Sequence, residues 1–276
     1  MAAVFGVNKE IPGWIDERRE EESPMISKTF RIARMIVLAS FAMSSAAGAT
    51  CSNASLSGAY GFVHGSTDNN GAPNSAAVTQ ITFESTKGTF TGETTSSHDG
   101  AITTFSFSGT YTVAPNCTGT GIPAGGNPFS IKVTSTGFLA FHPGSVGFAV
   151  KQGSPTCTNG GVKGSFGLEA TGVFLAGAPV TGPVAIIGNL VLGVNASGDG
   201  VIRGRVAGSE DGTIFTFAEE PVTGTYSVNS DCTGTATITP KGQSALNFSF
   251  VVVDSGKEML AIETDAGTVV SATLQR

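Results

Sequence analysis

The chain is short of charge and almost without tryptophan. Only 13% of its 276 residues are charged, and its single tryptophan is Trp14. Residues 50–276 contain nine basic and fifteen acidic side chains, a net charge of −6. A weakly acidic chain lacks the basic surface that nucleic acid or an anionic membrane requires. The sequence therefore predicts no nucleic-acid partner.

Motifs for cofactors, metals and catalysis are also missing. There is no G-x-S-x-G elbow, no Walker loop and no dinucleotide fingerprint. The three histidines, His64, His98 and His142, lack metal-ligand spacing, and the last two are interpreted as solvated turn residues. The sequence predicts no cofactor and no metal site. It favours a binding or structural protein over an enzyme.

The N-terminal segment has the pattern of a secretory signal. Basic residues follow Met25, an apolar run covers Met35 to Ala47, and Ala47-Gly48-Ala49 supplies small residues for cleavage. These features predict a leader at 1–49, with the signal peptide proper at 25–49, and a secreted or periplasmic mature chain.

The rest of the chain alternates apolar residues with Ser and Thr. Phe105, Phe107, Tyr111 and Val113 alternate with hydroxyl residues, which is typical of half-buried antiparallel strands. Asp-Gly pairs at 99–100, 199–200 and 211–212 predict hairpin turns. About eight short strands fit into each half, at the spacing of a sandwich or barrel.

Two halves of the chain repeat each other. Gly109-Thr110-Tyr111-Thr112-Val113 and Cys117-Thr118-Gly119-Thr120 recur 115 residues later. The segment after Cys51 recurs after Cys157, and Leu139-Ala140-Phe141 matches Leu260-Ala261-Ile262. Ordered matches with slowly drifting offsets indicate a duplication. The expected repeats cover 50–153 and 157–276, and the short junction predicts that they pack in a fixed relation.

One uncharged stretch, Val173 to Val194, is long enough to span a membrane. It contains two Pro and several Gly residues, and it lies where the first repeat has strands. We interpret it as buried strands around a loop, so that no membrane span is expected in the mature chain.

Four cysteines allow three pairings. Each repeat has one Cys at its start and one after its Gly-Thr-Tyr strand, so the duplication predicts Cys51–Cys117 and Cys157–Cys232. Disulfides are expected in an exported chain, and no C-x-x-C spacing supports a metal site instead.

The doubled pattern Cys…Gly-x-Tyr/Phe-Gly…Gly-Thr-Tyr-x-Val…Cys-Thr-Gly-Thr resembles a class of exported bacterial proteins. Their repeats resemble small calycin-like barrels of the allene oxide cyclase-like kind. The resemblance covers Cys51 to Arg276 and implies an all-β fold of two tandem antiparallel β-barrels. No catalytic residue of the plant cyclases matches a position here, so the isomerase activity is not implied.

A small barrel is either filled by side chains or holds one small ligand. The sequence thus leaves two functions open, a carrier of a small apolar ligand and a structural or surface-interaction module with filled barrels. Large inward residues argue against a roomy first barrel, so the second, with an insertion near Ala176 to Pro183 at its mouth and small residues at Gly188 and Gly193, is the expected ligand site. The predicted lumen residues are Tyr60, Phe62, Phe105, Phe107, Tyr111, Phe129 and Ile131 in the first repeat, and Phe166, Phe217, Tyr226, Phe248 and Phe250 in the second.

Arg203 and Arg205 form a candidate anion contact. Two residues apart on a strand, they face the same way and can grip a carboxylate or sulfate. Ordinary outward-facing side chains are the alternative. The sequence does not indicate the oligomeric state.

Overall fold

The computed structural model describes residues 50–276, apart from residues 69, 143, 155 and 179–180 and the side chains of residues 217–220. The predicted leader lies outside the described residues. Within the described part the chain forms two closed barrels, each of eight antiparallel strands in sequence order. The prediction of tandem antiparallel barrels is confirmed. None of the helices in this part is long and apolar enough to cross a membrane.

The first barrel closes because its first strand pairs with its last. Inward positions alternate with outward ones, since successive side chains of a strand point to opposite faces. A short 3₁₀ turn, Asn53–Ser55, precedes the barrel. The strands are β1 (Gly58–Thr67), β2 (Pro73–Glu84), β3 (Thr89–His98), β4 (Ala101–Val113), β5 (Thr118–Pro123), β6 (Phe129–Val133), β7 (Gly137–His142) and β8 (Ser145–Lys151).

The second barrel repeats this plan after a 3₁₀ turn at Asn159–Val162. The uncharged stretch Val173 to Val194 lies in its first two strands and their connection, as predicted. Its strands are not fully buried, however, because the outward Ile187 and Val191 are 55% and 49% exposed. Another 3₁₀ turn, Asp254–Gly256, joins the sixth and seventh strands. The strands are β9 (Gly164–Phe174), β10 (Gly182–Val194), β11 (Gly200–Glu210), β12 (Thr213–Val228), β13 (Thr233–Pro240), β14 (Leu246–Val253), β15 (Glu258–Glu263) and β16 (Thr268–Gln275).

All three Asp-Gly pairs lie at hairpin connections, as predicted, and two of them form the turn itself. Asp99-Gly100 has φ values of 49° and 78°, and Asp211-Gly212 has 46° and 78°, so both positions take the positive φ that a type I′ turn needs. The third pair differs. There Gly198 carries the positive φ, and the amide N–H of Asp199 donates to Asn195 Oδ1 at 2.9 Å.

A plug closes one end of the first barrel. Leu56, just after the 3₁₀ turn, is fully buried in the barrel core. The Tyr111 hydroxyl donates to the Leu56 carbonyl at 2.7 Å, and Asn53 Oδ1 accepts from the amide of Val113 at 2.8 Å. The Cys51–Cys117 disulfide fastens the same segment to the β4–β5 turn. The barrel therefore opens only at its other end.

The second barrel is closed in the same way. The Tyr226 hydroxyl donates to the Asn159 carbonyl at 2.8 Å, and Asn159 Oδ1 accepts from the amide of Val228 at 2.9 Å. Cys157 is bonded to Cys232. Both disulfides join the pairs predicted from the duplication. The recurring Asn, Tyr and Cys explain why these residues mark the repeat.

The barrels pack against each other through their outer walls. Val63 and Val78 of the first barrel and Val253, Leu260 and Ile262 of the second form one buried cluster. In the second barrel this requires strands apolar on both faces. Val252, for example, points into the lumen core while its neighbours Val251 and Val253 point toward the first barrel. Consecutive apolar residues are the pattern of such doubly buried strands.

The packing between the barrels predicts a large difference between two outward-facing leucines. Leu260 is fully buried between the barrels, whereas Leu139, its counterpart in the first repeat, is half exposed. We expect Leu260→Ala to lower the free energy of unfolding by about 3 kcal/mol, because it leaves a cavity. Leu139→Ala should change it by less than about 0.5 kcal/mol. Urea denaturation measures both, and equal effects would contradict a shared core.

Candidate functional site

A cavity lies at the open end of the first barrel. It has a volume of about 430 Å³, within the range of pockets that hold small molecules. Its floor is aromatic. The rings of Phe62, Phe107 and Phe129 pack against the buried core, and Phe138 belongs to that core. Those of Phe62 and Phe138 are stacked, with centroids 5.7 Å apart.

Hydroxyl groups form a belt above the aromatic floor. Thr79 and Thr94 face each other across β2 and β3, with their hydroxyl oxygens 2.7 Å apart. Higher up, the hydroxyls of Ser96 and Thr103 are 2.9 Å apart. These residues occupy inward positions of their strands, so the lumen changes from apolar to polar toward solvent. A ligand with one apolar and one polar end matches this arrangement.

All three histidines of the chain line the mouth of this cavity. The ring of His64 stacks on Phe62 with centroids 4.9 Å apart, and burial lowers its pKa to about 4. The imidazole is therefore neutral at pH 7 and can donate or accept a hydrogen bond. His98 is largely exposed, and its Nε2 lies 3.5 Å from Asp99 Oδ2.

This convergence of histidines was not predicted from the sequence. His64 lies two residues after Phe62, and His142 two after Ala140, so both continue an inward-facing set of residues. The alternation of inward and outward positions, extended to the strand ends, is the sequence feature that predicts both histidines at the mouth. Within the described residues, no three His, Cys, Asp or Glu side chains lie close enough to hold a metal ion.

The geometry of the serine at the mouth is that of a structural hydroxyl. Ser145 Oγ donates to the carbonyl of Gly65 at 3.0 Å, while His64 Nδ1 is 3.5 Å away. A serine nucleophile would direct its proton to the imidazole. The pair therefore has hydrogen-bonding capacity toward a ligand but not the alignment of a Ser–His dyad.

The first lumen is larger than the sequence suggested, for a steric reason. The ring of Phe107 lies against Gly92, where an added Cβ would come within 2.6 Å of it, and that of Phe129 lies against Gly121. The rings are thus laid along the wall instead of across the lumen. Residue volume alone overestimated how completely this barrel is filled.

The other predicted lumen residues of the first repeat divide by depth. Tyr60, Tyr111 and Ile131 are buried in the core toward the plug. Phe105 lies at the mouth of the cavity with 52% of its surface exposed.

The second lumen holds a cavity of about 80 Å³ with an almost wholly apolar wall. Phe166, Tyr226 and Phe250 are buried in this barrel's core, and Phe248 lines its cavity. The side chain of Phe217 lies outside the described residues. The β9–β10 connection stands at the open end, and its Ala178 packs on the core. This cavity is smaller than the one in the first barrel, because large aliphatic side chains fill the second lumen.

A carboxyl group is buried in this apolar lumen. Glu263 ends β15 on the inward face and is only 2% exposed. Its Oε1 has no hydrogen-bond partner among the described residues. Burial, and next the nearby Asp265 and Glu210, raise its pKa to about 8. The group is therefore protonated at neutral pH, since a buried charge without a partner is costly.

The two arginines lie elsewhere. Arg203 and Arg205 are exposed on the outer face of β11, on the same side of the strand. Neither is among the residues that line the two lumens. An anion held by them would bind on the outer wall of the second barrel.

Comparison with known proteins adds little to this geometry. No family model matches the chain. No curated protein sequence matches it either. Among solved structures, a porin-like protein from Bacteroides uniformis is similar at 7% identity and a TM-score of 0.19, over 78% of this chain and 95% of that one. At that TM-score the likeness carries no argument about function.

Proposed function

We propose that the protein is an exported carrier of a small apolar molecule, held in the first barrel with its polar end toward the mouth. The observation that carries the proposal is the cavity of about 430 Å³ between an aromatic floor and a hydroxyl belt. A compact ligand of about one or two rings fits such a space.

The lining also restricts the charge of the ligand. No Lys, Arg, Asp or Glu is among the described residues that line this cavity, and His64 is neutral at pH 7 because burial lowers its pKa to about 4. A charged ligand group inside would lose its hydration without gaining a counter-ion. The ligand is therefore neutral, with an aromatic or aliphatic body and a hydroxyl or carbonyl group.

Export and a calycin-like barrel belong to the same proposal. The two disulfides favour an oxidising compartment, in keeping with the signal peptide that the sequence predicts. A closed up-and-down barrel with one end plugged and a ligand at the other suits a calycin-like carrier. Sequencing the N-terminus of extracytoplasmic protein tests export, for which a start at Thr50 is expected.

Ligand binding is tested with a neutral environment-sensitive dye, prodan, titrated into the full mature chain. Ser96→Phe places a ring at the mouth of the cavity and should weaken dye binding at least about tenfold, or ~1.4 kcal/mol. Ser106→Phe is the matched control, because Ser106 is exposed on the outer face of β4. It should bind the dye as the unmodified protein does.

Circular dichroism melting of both variants establishes that they are folded. Equal dye binding by the two variants would place the dye outside the first lumen and refute the proposed site. Negligible binding by the unmodified protein would instead favour the structural module with filled barrels.

A further inference from the structure

The contact between the two barrels joins two different faces. The first barrel contributes the outer face of β1–β3, and the second that of β14–β16. Because the barrels are repeats of each other, the first barrel also has a face that corresponds to β14–β16. The second barrel likewise has a face that corresponds to β1–β3. An interface of this heterologous kind leaves one unused face at each end of the pair.

The first unused face lies on β7 and β8. By the repeat, Leu139 and Phe141 correspond to Leu260 and Ile262, which are fully buried between the barrels. In the first repeat these two side chains are 50% and 58% exposed. Their cross-strand partners on β8, Phe148 and Val146, extend the same apolar patch. These four side chains are here called the β7 face.

The second unused face lies on the outer wall of β10. The pair Tyr60–Ile81 corresponds to Phe166–Leu190, which places Ile187 at the position of Val78. Val78 is buried between the barrels, whereas Ile187 is 55% exposed. This surface, together with the β11–β12 turn at Asp211 and Gly212, is here called the β10 face.

Two glycines that touch at the barrel interface also have counterparts on the unused faces. At the barrel interface the Gly267 amide donates to the Gly100 carbonyl at 2.9 Å, and a Cβ on Gly100 would come within 2.6 Å of Gly267. The counterparts are Gly212 and Gly144, with φ values of 78° and 83° against 78° and 84° in the interface pair. A Cβ on either would meet nothing within 4 Å.

A hydroxyl of the interface recurs as well. Ser97 donates to the Thr268 carbonyl across the barrel contact. By the register of β10 and β11, the counterpart of Ser97 is Ser209. The β10 face therefore repeats the apolar, glycine and serine elements of the face that the first barrel uses.

We propose that a second copy of this chain docks its β10 face onto the β7 face, in the geometry by which the two barrels of one chain pack. The exposed apolar patches are then covered by each other, and Gly144 meets Gly212 of the next copy. Because the two faces differ, each added copy presents a new free face. The assembly is head-to-tail and open-ended.

Charge at the same faces agrees with this pairing. The valines Val63 and Val251, both buried in the barrel contact, have Glu169 and Lys132 as their counterparts. Glu169 lies at the β10 face and Lys132 beside the β7 face, and both are exposed. Opposite charges therefore meet across the contact between copies, where the contact within one chain has apolar residues.

The test is sedimentation of the full mature chain across about 1 to 200 μM protein. The unmodified chain should associate with increasing concentration. Ile187→Asp disables the β10 face and Leu139→Asp disables the β7 face, and both positions are exposed, so the fold should be retained. Each variant alone should sediment as a monomer. An equimolar mixture should form dimers and nothing larger, since one intact face remains on each variant.

Each alternative outcome overturns the proposal. A monomeric unmodified chain at the highest concentration would show that the faces do not dock. Self-association of either variant, folded by circular dichroism, would show that another surface is used. A mixture that stays monomeric would show that the two faces do not bind each other.

Discussion

Replacing both cysteines of either disulfide by alanine is expected to lower the free energy of unfolding by about 4 kcal/mol. Each disulfide spans a long segment, with sequence separations of 66 and 75 residues. Closing such a loop in the unfolded chain removes conformational entropy worth about 4 kcal/mol in the chain-entropy model. The bonds also hold the plug segments, so their loss loosens the closed end of each barrel.

Urea denaturation of Cys51→Ala/Cys117→Ala and Cys157→Ala/Cys232→Ala measures these losses. The unmodified protein under a strong thiol reductant is the internal control, because it should be destabilised by more than either variant alone. A loss below about 1 kcal/mol for a folded variant would contradict the entropic account.

The stability of the protein should fall as the pH rises toward 8, because of Glu263. Its pKa is about 8 in the folded state, against 4.5 for an ordinary glutamate. Between these values the folded state binds the proton more tightly than the unfolded state does. Each pH unit in that window then costs about 1.4 kcal/mol, up to about 5 kcal/mol in all. Above the folded pKa the penalty is fully present and no longer changes.

The best window to observe this effect lies between pH 6.5 and 8. Below it, His64 acts in the opposite sense, because its pKa of about 4 lies below the ordinary 6.5 and acid favours the unfolded state. Glu263→Gln should remove about 2 kcal/mol of pH dependence across the window. Glu93→Gln, an exposed outward position on β3, is the matched control. Parallel pH profiles for the protein and Glu263→Gln would disprove the buried, protonated carboxyl.

The sequence allowed the architecture to be predicted because its signals are local and repeated. Alternation around Phe105 and Phe107 specifies half-buried strands, and the Asp99-Gly100 and Asp211-Gly212 turns specify hairpins. The duplication selected the disulfide pairs, since each cysteine keeps its place relative to the Gly-Thr-Tyr strand. The run of consecutive valines from Val251 to Val253 is also typical of a strand buried on both faces, a feature that was not used in the prediction.

The site was less predictable, because it depends on how side chains share a lumen. Whether Phe107 crosses the barrel or lies on Gly92 is decided by a neighbouring strand, not by its own position. The convergence of His64, His98 and His142 requires three separate strands to end at the same rim. Glu263 lies on an inward position at a strand end, where a sequence pattern does not distinguish a buried carboxyl from a solvated one.

The plugged ends have a practical consequence for how the protein is handled. Gly100 and Gly267 stand at the two open rims and touch, so both lumens open on one side of the molecule. Cys51 and Arg276 lie at the plugged ends, on the opposite side, where the amide of Arg276 donates to the Lys257 carbonyl. An affinity tag, fluorophore or sensor-chip linkage at either terminus of the barrel region would therefore leave both entrances facing the solution.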